Sequence, residues 1–474
     1  PCCLQLRGWL RTHACHTTLC VPPAMPLSRL LALLQALAPA CGMKHGSSLE
    51  SAAGPFFVHI ADPQLGMKHV SDKTLEGRKH IAEEYAMLKA AVAAAVAIRP
   101  AFVFVGGDMQ DAWADLRHAK EATTGGLDAE NATLLERYQQ GKIVQALMPL
   151  KRNNIPVFFT PGNHDVDDAP TQETLAKYKR LYDPSWFRHP GDVVLGETAH
   201  ASEPALWGRF HVRGRPGFHF VYIASQIYQD PDAQGWKCPE RHEPAYRDFL
   251  EGYRRKQGSA LRHFMRQIAQ EAAAQKTQEN TLVVFTHIPP FMARVDEDEG
   301  WGNWRKEDRR SVLDAITGAG VPGLRVAFVC GHFHANVLQA TVYGEQRVPL
   351  DVIVTDSVGT TMGWQPLEHE LETERANDAA AVASGGIGHA FFKYIMLGNP
   401  NGYAEIGRRL VPDERHSGIR IFELRGGLRQ RFLKVGELEA QSAALGDPEE
   451  LSKLLVDVPW ASSPRAAGGT AFDL

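Results

Sequence analysis

The segment Phe56-Phe57-Val58-His59-Ile60-Ala61-Asp62-Pro63-Gln64 sets the pattern on which the rest of the fold is built. Its first five residues are mostly apolar and lie between Gly54-Pro55 and Asp62-Pro63, which is typical of a short buried strand bounded by turns. Residues 75–98 follow and are rich in Ala, Glu, Lys and Leu, so they predict a helix. The folded part of the chain therefore begins with a strand that ends in a carboxylate and leads into a helix.

This strand-then-helix unit is repeated along the chain. Further strands are predicted at 102–105, 156–160, 218–224, 282–286, 326–330 and 352–354, and as a closing hairpin at 419–424 and 428–435. Further helices are predicted at 131–153, 246–274 and 306–316. Strands that alternate with helices are covered by helices on their faces, so the pattern predicts an α/β fold.

Length and composition describe a soluble, enzyme-sized protein. The chain has 474 residues, of which 44% are hydrophobic and 22% charged, enough for one large domain or two ordinary ones. A net charge of −4 gives no broad basic surface for nucleic acid. No apolar run approaches the roughly 20 residues that span a bilayer. We therefore expect neither a nucleic-acid signature nor a transmembrane segment.

Residues 1–53 are predicted to be a leader that precedes the fold. The chain begins with Pro1, and a start at Met25 would place the apolar stretch Leu30–Leu37 before Ala38-Pro39-Ala40. That arrangement is typical of a short signal peptide with its cleavage site, and a disordered leader is the alternative. The localisation stays open: cytoplasmic, or exported if Met25–Ala40 is a signal peptide.

Polar residues follow five of the predicted strands, at the point where each strand ends. They are Asp62, Asp108, Asn163-His164-Asp165, His287 and His332-Phe333-His334. Ligands of sheets like this bind beyond the carboxyl ends of the strands, so we expect these side chains to meet at one edge. A single Asp in such a place is ordinarily a turn or cap residue. All five sets together indicate a metal centre.

The mixture of ligand types narrows the chemistry. Carboxylate, amide oxygen and imidazole together suit Mn, Fe or Zn better than Ca. The carboxylate of Asp108 is placed to bridge two ions about 3.5–4 Å apart, as in two-metal sites for phosphate esters. His164 is a candidate general acid for the leaving oxygen, oriented by a nearby carboxylate such as Asp165. The sequence thus predicts hydrolysis of phosphate esters by a hydroxide that bridges two divalent ions.

These motifs resemble the calcineurin-like metallophosphoesterase superfamily. The shared motifs are Asp62-x-Gln64, Gly107-Asp108, Gly162-Asn163-His164-Asp165, His287 and Gly331-His332-x-His334. More closely, the segments 60–64, Gln226-Ile227-Tyr228 and His287-Ile288-Pro289 look like the calcineurin-like phosphoesterase-domain-containing subfamily of Ser/Thr phosphatases. The resemblance implies a two-sheet β-sandwich flanked by helices, with the metals at one edge.

The resemblance also implies a ligand set for each ion. The first ion would be bound by Asp62, Asp108 and His334, and the second by Asp108, Asn163, His287 and His332. His164 would be the catalytic acid. Gln64 stands where most of the superfamily has His, although the closer subfamily shows Gln. It would hold the first ion loosely or act through water.

The same resemblance predicts the domain limits and the reaction. A single domain is expected over 54–440, with insertions at about 229–260 and 365–417 and a tail at 441–474. The expected function is hydrolysis of a phosphomonoester, on a small molecule or on phosphorylated Ser/Thr of a protein. The alternatives are a phosphodiesterase or nucleotidase with the same centre, and a non-catalytic scaffold. By their position in the loop after His287, the candidate substrate contacts are Trp301, Asn303, Trp304 and Arg305.

Overall fold

The structure is a computed structural model of the 474-residue chain. It describes residues 55–69, 72, 74–111, 127–167, 170–182, 193–198, 206–229, 243–292, 294–300, 302–334, 336–360, 417–425 and 427–458. The predicted leader, with its candidate signal peptide, lies outside the described residues. So does the predicted insertion at 365–417 except for its last residue. The predicted domain boundaries therefore stay predictions.

The described strands form two sheets. In chain order they are β1 (Phe56–Ile60), β2 (Phe102–Val105), β3 (Val157–Phe159), β4 (Val193–Thr198), β5 (Gly208–Val212), β6 (Phe218–Tyr222), β7 (Asn280–Phe285), β8 (Leu324–Cys330), β9 (Val337–Tyr343), β10 (Val348–Val354), β11 (Gly418–Leu424), β12 (Leu428–Lys434) and β13 (Val456–Asp457). The first sheet has the order β13-β12-β11-β1-β2-β3, and the second β4-β5-β6-β7-β8-β10-β9. Strands β1 to β3 run parallel, as do β6, β7, β8 and β10.

Helices connect the parallel strands. They are α1 (Leu75–Arg78), α2 (Ala82–Ile98), α3 (Ala129–Arg152), α4 (Asn163–Val166), α5 (Gln172–Leu181), α6 (Pro244–Gln275), α7 (Lys306–Thr317), α8 (Val435–Leu438), α9 (Ser442–Leu445) and α10 (Pro448–Leu454). The single helix predicted over 75–98 is broken between α1 and α2. There Arg78 is buried and its guanidinium donates to Asp111 at 2.6 Å, which holds α1 against the loop after β2. In the described part of the chain, no helix is long and apolar enough to cross a membrane.

The two faces of each sheet pack in different ways. In β1, Phe56, Val58 and Ile60 pack with the helices, whereas Phe57 and His59 face the other sheet. The space between the sheets is filled by aromatic rings, with Phe104 stacked on Phe285 at 3.8 Å between ring centroids. Aromatic pairs of this kind add to the free energy gained by burial. The predicted two-sheet sandwich flanked by helices is confirmed.

Four strands have no counterpart in the sequence-based prediction: β4, β5, β9 and β13. Three of them are the outermost strands of their sheets. In β9, only the first residue is fully buried, so its sequence lacks the continuous apolar run of an interior strand. Strand β13 and helix α10 lie in the predicted tail, where Leu451 and Leu455 are buried. Part of the tail therefore belongs to the fold.

Candidate metal centre

Three predicted ligands meet around a ring nitrogen of a fourth, His287, at the carboxyl ends of the strands. His287 follows β7, and its Nε2 lies 3.2 Å from Oδ2 of Asp108, which follows β2. The same nitrogen is 3.2 Å from Oδ1 of Asn163 and 3.2 Å from Nδ1 of His332. The ligand atoms of Asp108, His287 and His332 all lie within 4.8 Å of one another, and all three side chains are buried. The structure thus brings together the residues predicted for the second ion.

The remaining predicted ligands lie beside this group. Oδ1 of Asp62 is 3.8 Å from Nδ1 of His287 and 4.0 Å from Nε2 of His334. Both oxygens of Asp62 accept the backbone N–H of His332, at 2.9 and 3.0 Å. The Nδ1–H of His334 donates to the carbonyl of Thr360, which leaves its Nε2 turned toward Asp62. Asp62 and His334, both predicted for the first ion, are therefore neighbours.

The backbone of the centre is strained where the ligands attach. Asp62, Asp108, His332 and His334 all have positive φ angles, of 45°, 47°, 78° and 50°. Side chains other than Gly rarely adopt this conformation, and it persists only where the surroundings enforce it, commonly at functional sites.

The Gly162-Asn163-His164-Asp165 motif requires glycine at its first position for a steric reason. A Cβ added at Gly162 would lie 1.9 Å from Oδ1 of Asp108. Only Gly lets the loop after β3 approach that carboxylate.

Hydrogen bonds fix the tautomer of His287. Its Nδ1–H donates to the carbonyl oxygen of Gly106 at 2.7 Å. In the neutral ring, Nε2 then carries the lone pair and points at two oxygens, those of Asp108 and Asn163, which also present lone pairs. All three atoms are hydrogen-bond acceptors, with each oxygen 3.2 Å from Nε2, and a cation bound between them would stabilise the arrangement. A metal-ligating His typically donates its other N–H to a carbonyl or carboxylate, as His287 does.

The buried carboxylates of the centre also favour a cation there. Burial alone would lower the pKa of His287, but the carboxylates of Asp108 and Asp62 raise it to about 9. Burial holds the pKa of Asp62 well above its usual range, although His287 opposes this. These buried groups therefore draw positive charge into the centre. The donor set of carboxylate, amide oxygen and imidazole fits a divalent transition metal.

His164 is held at both ring nitrogens. Its Nδ1–H donates to the backbone carbonyl of Asp111 at 2.9 Å, and its Nε2 lies 2.9 Å from Nε2 of Gln64. The carboxylate of Asp165, expected to orient this ring, instead accepts the backbone N–H groups of Met109 and Gly162, at 3.1 and 2.8 Å. Asp165 thus joins the loops after β2 and β3, while a main-chain oxygen orients His164.

Sequence reasoning missed the loop after β6 as a support for the centre. The hydroxyl oxygen of Ser225 accepts the backbone N–H of Ile288 at 2.9 Å, and Nε2 of Gln226 donates to the carbonyl of Pro161 at 2.7 Å. The loop therefore contacts the chain next to both His287 and Asn163. Its available signal was the Gln226-Ile227-Tyr228 motif, which carries no metal-ligand chemistry.

Trp304 has a structural place rather than the predicted contact with substrate. The residue is fully buried, and its Nε1–H donates to the carbonyl of Ile288 at 2.8 Å. Its ring packs against Tyr228 with 4.9 Å between centroids. Trp304 therefore holds the His287 loop against the body of the protein.

Comparison with known proteins agrees with this geometry. The sequence profile of the calcineurin-like phosphoesterase family matches residues 57–336, more than half of the chain. The chain belongs to the calcineurin-like phosphoesterase family. The matched residues of this phosphoesterase include every predicted ligand from Asp62 to His334.

Named relatives and a solved structure add to the comparison. Serine/threonine-protein phosphatase CPPED1 of Rattus norvegicus is 26% identical over 315 residues, which cover 65% of this chain and 77% of the relative. The Homo sapiens protein of that name is 25% identical over 320 residues, 66% of this chain and 78% of its own. A crystal structure of TT1561 of Thermus thermophilus aligns over 65% of this chain and 91% of that chain, with 10% identity and a TM-score of 0.27. That score is too low to bear on the fold.

Membership of the family settles the general activity. The protein is a metal-dependent hydrolase of phosphate esters, and its family depends on a pair of metal ions. The predicted resemblance to the superfamily and to the Ser/Thr phosphatase subfamily is confirmed. The substrates implied by these relatives are phosphorylated.

Proposed function

We propose that this calcineurin-like phosphoesterase hydrolyses phosphomonoesters, including phosphorylated Ser or Thr of proteins. The observation that carries the proposal is the convergence of Asp108, Asn163 and His332 on Nε2 of His287, each at 3.2 Å. The two relatives described above are named as Ser/Thr phosphatases, which supports the protein substrate.

The proposed ligand sets follow the two groups of side chains. Asp62, Asp108 and His334 bind one ion, and Asp108, Asn163, His287 and His332 bind the other. Mn, Fe or Zn fits these ligands. Two such ions, when bound, would lower the pKa of the attacking water and neutralise charge on the phosphate oxygens.

The protein's own groups handle the leaving oxygen. His164 gives a proton to that oxygen as the bond to phosphorus breaks, and such general-acid catalysis contributes about 10²–10⁴-fold. The carbonyl of Asp111 fixes which ring nitrogen faces the reaction, since it accepts from Nδ1 at 2.9 Å. Asp165 is a positioning residue, because its carboxylate is taken up by two backbone N–H groups.

The proposal is tested with full-length protein reconstituted with Mn²⁺. We expect kcat/KM for 4-nitrophenyl phosphate and for a phosphoserine peptide to exceed that for bis(4-nitrophenyl) phosphate at least about tenfold, since a diester needs a second binding arm on the protein. A preference for the diester would replace the proposal by a phosphodiesterase.

Metal analysis of the same preparation separates the enzyme from a non-catalytic scaffold. We expect about two transition-metal ions per chain, because both predicted ligand sets are complete. His332→Ala serves as the matched control and should lose one of them. A protein that binds no metal and shows no metal-stimulated phosphate release would be a scaffold.

A further inference from the structure

Gln64 lies next to the proposed general acid, His164, and its backbone is hydrogen-bonded to the loop after β2. The residue is buried, and its backbone N–H donates to the carbonyl of Asp108 at 2.8 Å. The chain after it runs beside the chain after β2, because Leu65 pairs with Gln110 and the N–H of Asp111 donates to the carbonyl of Leu65 at 3.2 Å. The segment that carries Gln64 therefore also sets the position of Asp111, the main-chain partner of His164.

The side chain of Gln64 contacts His164 directly. Its amide Nε2 lies 2.9 Å from Nε2 of His164, while Nδ1 of the ring donates to the carbonyl of Asp111. An amide nitrogen only donates, so it presents a proton to the second ring nitrogen. Asp111 and Gln64 thus hold the imidazole from both ends, and both belong to the paired segments after β1 and β2.

We propose that Gln64 is a positioning residue for the general acid His164 and is dispensable for metal binding. The inference rests on the proposed role of His164. A glutamine amide supplies a donor at one end and an acceptor at the other, so it supports the ring whether Nε2 accepts or donates a proton. Oε1 of Gln64 is buried and has no hydrogen-bond partner among the described residues. Rotation of the amide toward His164 therefore breaks no bond made by that oxygen.

The rival role for Gln64 is ligation of the first ion through Oε1. Against this role, the hydrogen bond described for the Gln64 side chain goes to His164, and among the described contacts none joins that side chain to Asp62, Asp108 or His334. The two roles predict different losses. A lost ligand lowers the metal content, whereas a lost positioning contact impairs proton delivery and leaves the metal in place.

The experiment compares Gln64→Met with His164→Ala and the unsubstituted full-length chain, all reconstituted with Mn²⁺. Met keeps the length of the side chain and removes both hydrogen-bonding ends. Two substrates are used, 4-nitrophenyl phosphate with a good leaving group and phenyl phosphate with a poor one, and bound metal is counted by elemental analysis. General-acid help matters for the poor leaving group and little for the good one.

We expect Gln64→Met to lower kcat about tenfold or more on phenyl phosphate and less than about threefold on 4-nitrophenyl phosphate, with metal content unchanged. The double variant Gln64→Met/His164→Ala should be no slower than His164→Ala alone, because both changes remove one function. Loss of bound metal in Gln64→Met would overturn the inference and make Gln64 a ligand. An equal fall in kcat on both substrates would also overturn the inference.

A matched control separates the positioning role from general damage. Gln257 is also a buried glutamine, and its amide bonds both the N–H and the carbonyl of Ala224, at 3.1 and 2.9 Å. Gln257→Met should therefore affect both substrates alike, and a leaving-group effect in it equal to that of Gln64→Met would overturn the inference. If His164→Ala itself shows no leaving-group dependence, the proposed role of His164 fails, and the inference about Gln64 fails with it.

Discussion

The two sheets bring different chemistry to the centre. Loops after β1, β2 and β3 carry the proposed oxygen ligands, Asp62, Asp108 and Asn163, and the two Asp residues bring negative charge. Loops after β7 and β8 supply imidazoles, from His287, His332 and His334. In the proposed centre, the first sheet would attract the cations electrostatically, and the second would complete their coordination with nitrogen donors. This division predicts that the two kinds of ligand respond differently to substitution.

The supports of the ligands cross between the sheets. The carboxylate of Asp62, from the first sheet, accepts from the backbone of His332, from the second. In return, Gly106 of the first sheet accepts from the ring of His287. Each sheet thus orients proposed ligands that belong to the other, so these side chains come together only when the sandwich has closed.

The largest effect is expected from Asp108→Asn. The change removes the charge shared by both proposed ligand sets, and a loss of about 4 kcal/mol of charge stabilisation corresponds to about 1,000-fold in kcat. Phosphate release from 4-nitrophenyl phosphate measures it, over a range of Mn²⁺ concentrations. Because the missing group is the charge itself, added metal should not restore the rate. A rate within about tenfold of normal would contradict the bridging role.

His332→Ala removes a proposed nitrogen ligand but none of the negative charge, so it should weaken metal binding in a way that added metal can overcome. We expect metal affinity to fall more than about 100-fold, since even partners of ligands account for about 10–100-fold. Excess Mn²⁺ should restore much of the rate because the carboxylates remain. Calorimetric titration with Mn²⁺ and the rate at saturating metal test this. If Asp108→Asn were rescued as well as His332→Ala, the contrast between the sheets would be wrong.

A smaller effect is expected from Ser225→Ala, which removes the acceptor of the Ile288 N–H. An unsatisfied buried N–H costs about 1–3 kcal/mol, so thermal unfolding should shift down by a few degrees. Because Ile288 is next to His287, the affinity for Mn²⁺ should also weaken, by less than about tenfold.

Ser452→Ala is the control for this loss. Ser452 lies on α10, far along the chain from the loops of the proposed ligands, and its hydroxyl donates a hydrogen bond to the carboxylate of Glu423 at 2.9 Å. It should lower the melting temperature without changing metal affinity. Equal metal affinities in Ser225→Ala and the unsubstituted protein would show that the loop after β6 does not support the centre.

The smallest effect is expected from Asp296→Asn in the acidic loop beyond His287. This carboxylate is 78% exposed and pairs with Arg294 at 3.1 Å. Exposed ion pairs contribute little, so the free energy of unfolding should change by less than about 0.5 kcal/mol and kcat/KM should stay the same. Faster turnover of an acidic phosphopeptide by the variant would show that the loop repels substrates, which would extend the second sheet's role beyond ligation.

The sequence alone could predict the chemistry-bearing side chains and most interior strands. The interior strand β2 is a continuous apolar run and β7 ends in one, and each predicted ligand lies within a few residues of the end of a strand. The parallel arrangement then brings distant residues, such as Asp108 and His287, to one edge of the sandwich.

Supports made by main-chain atoms could not be predicted in the same way. The carbonyl groups of Gly106, Asp111 and Thr360 orient the imidazoles, and a carbonyl group leaves no mark in the sequence. For that reason Asp165 was expected to orient His164. Strand β9 was missed because, as an outermost strand, it has one neighbour, and its side chains after Val337 are only partly buried.

The short strand β13 has a practical consequence for the stability of the protein in solution. It covers the end of β12 through the pairs Arg429–Asp457 and Gln430–Val456, and the guanidinium of Arg429 donates to the carbonyl of Leu455 at 2.5 Å. A fragment that stopped at residue 440 would leave the unpaired N–H and C=O groups of β12 open to strands of other molecules, which promotes aggregation. An expressed protein should therefore extend past Val458 to remain monodisperse.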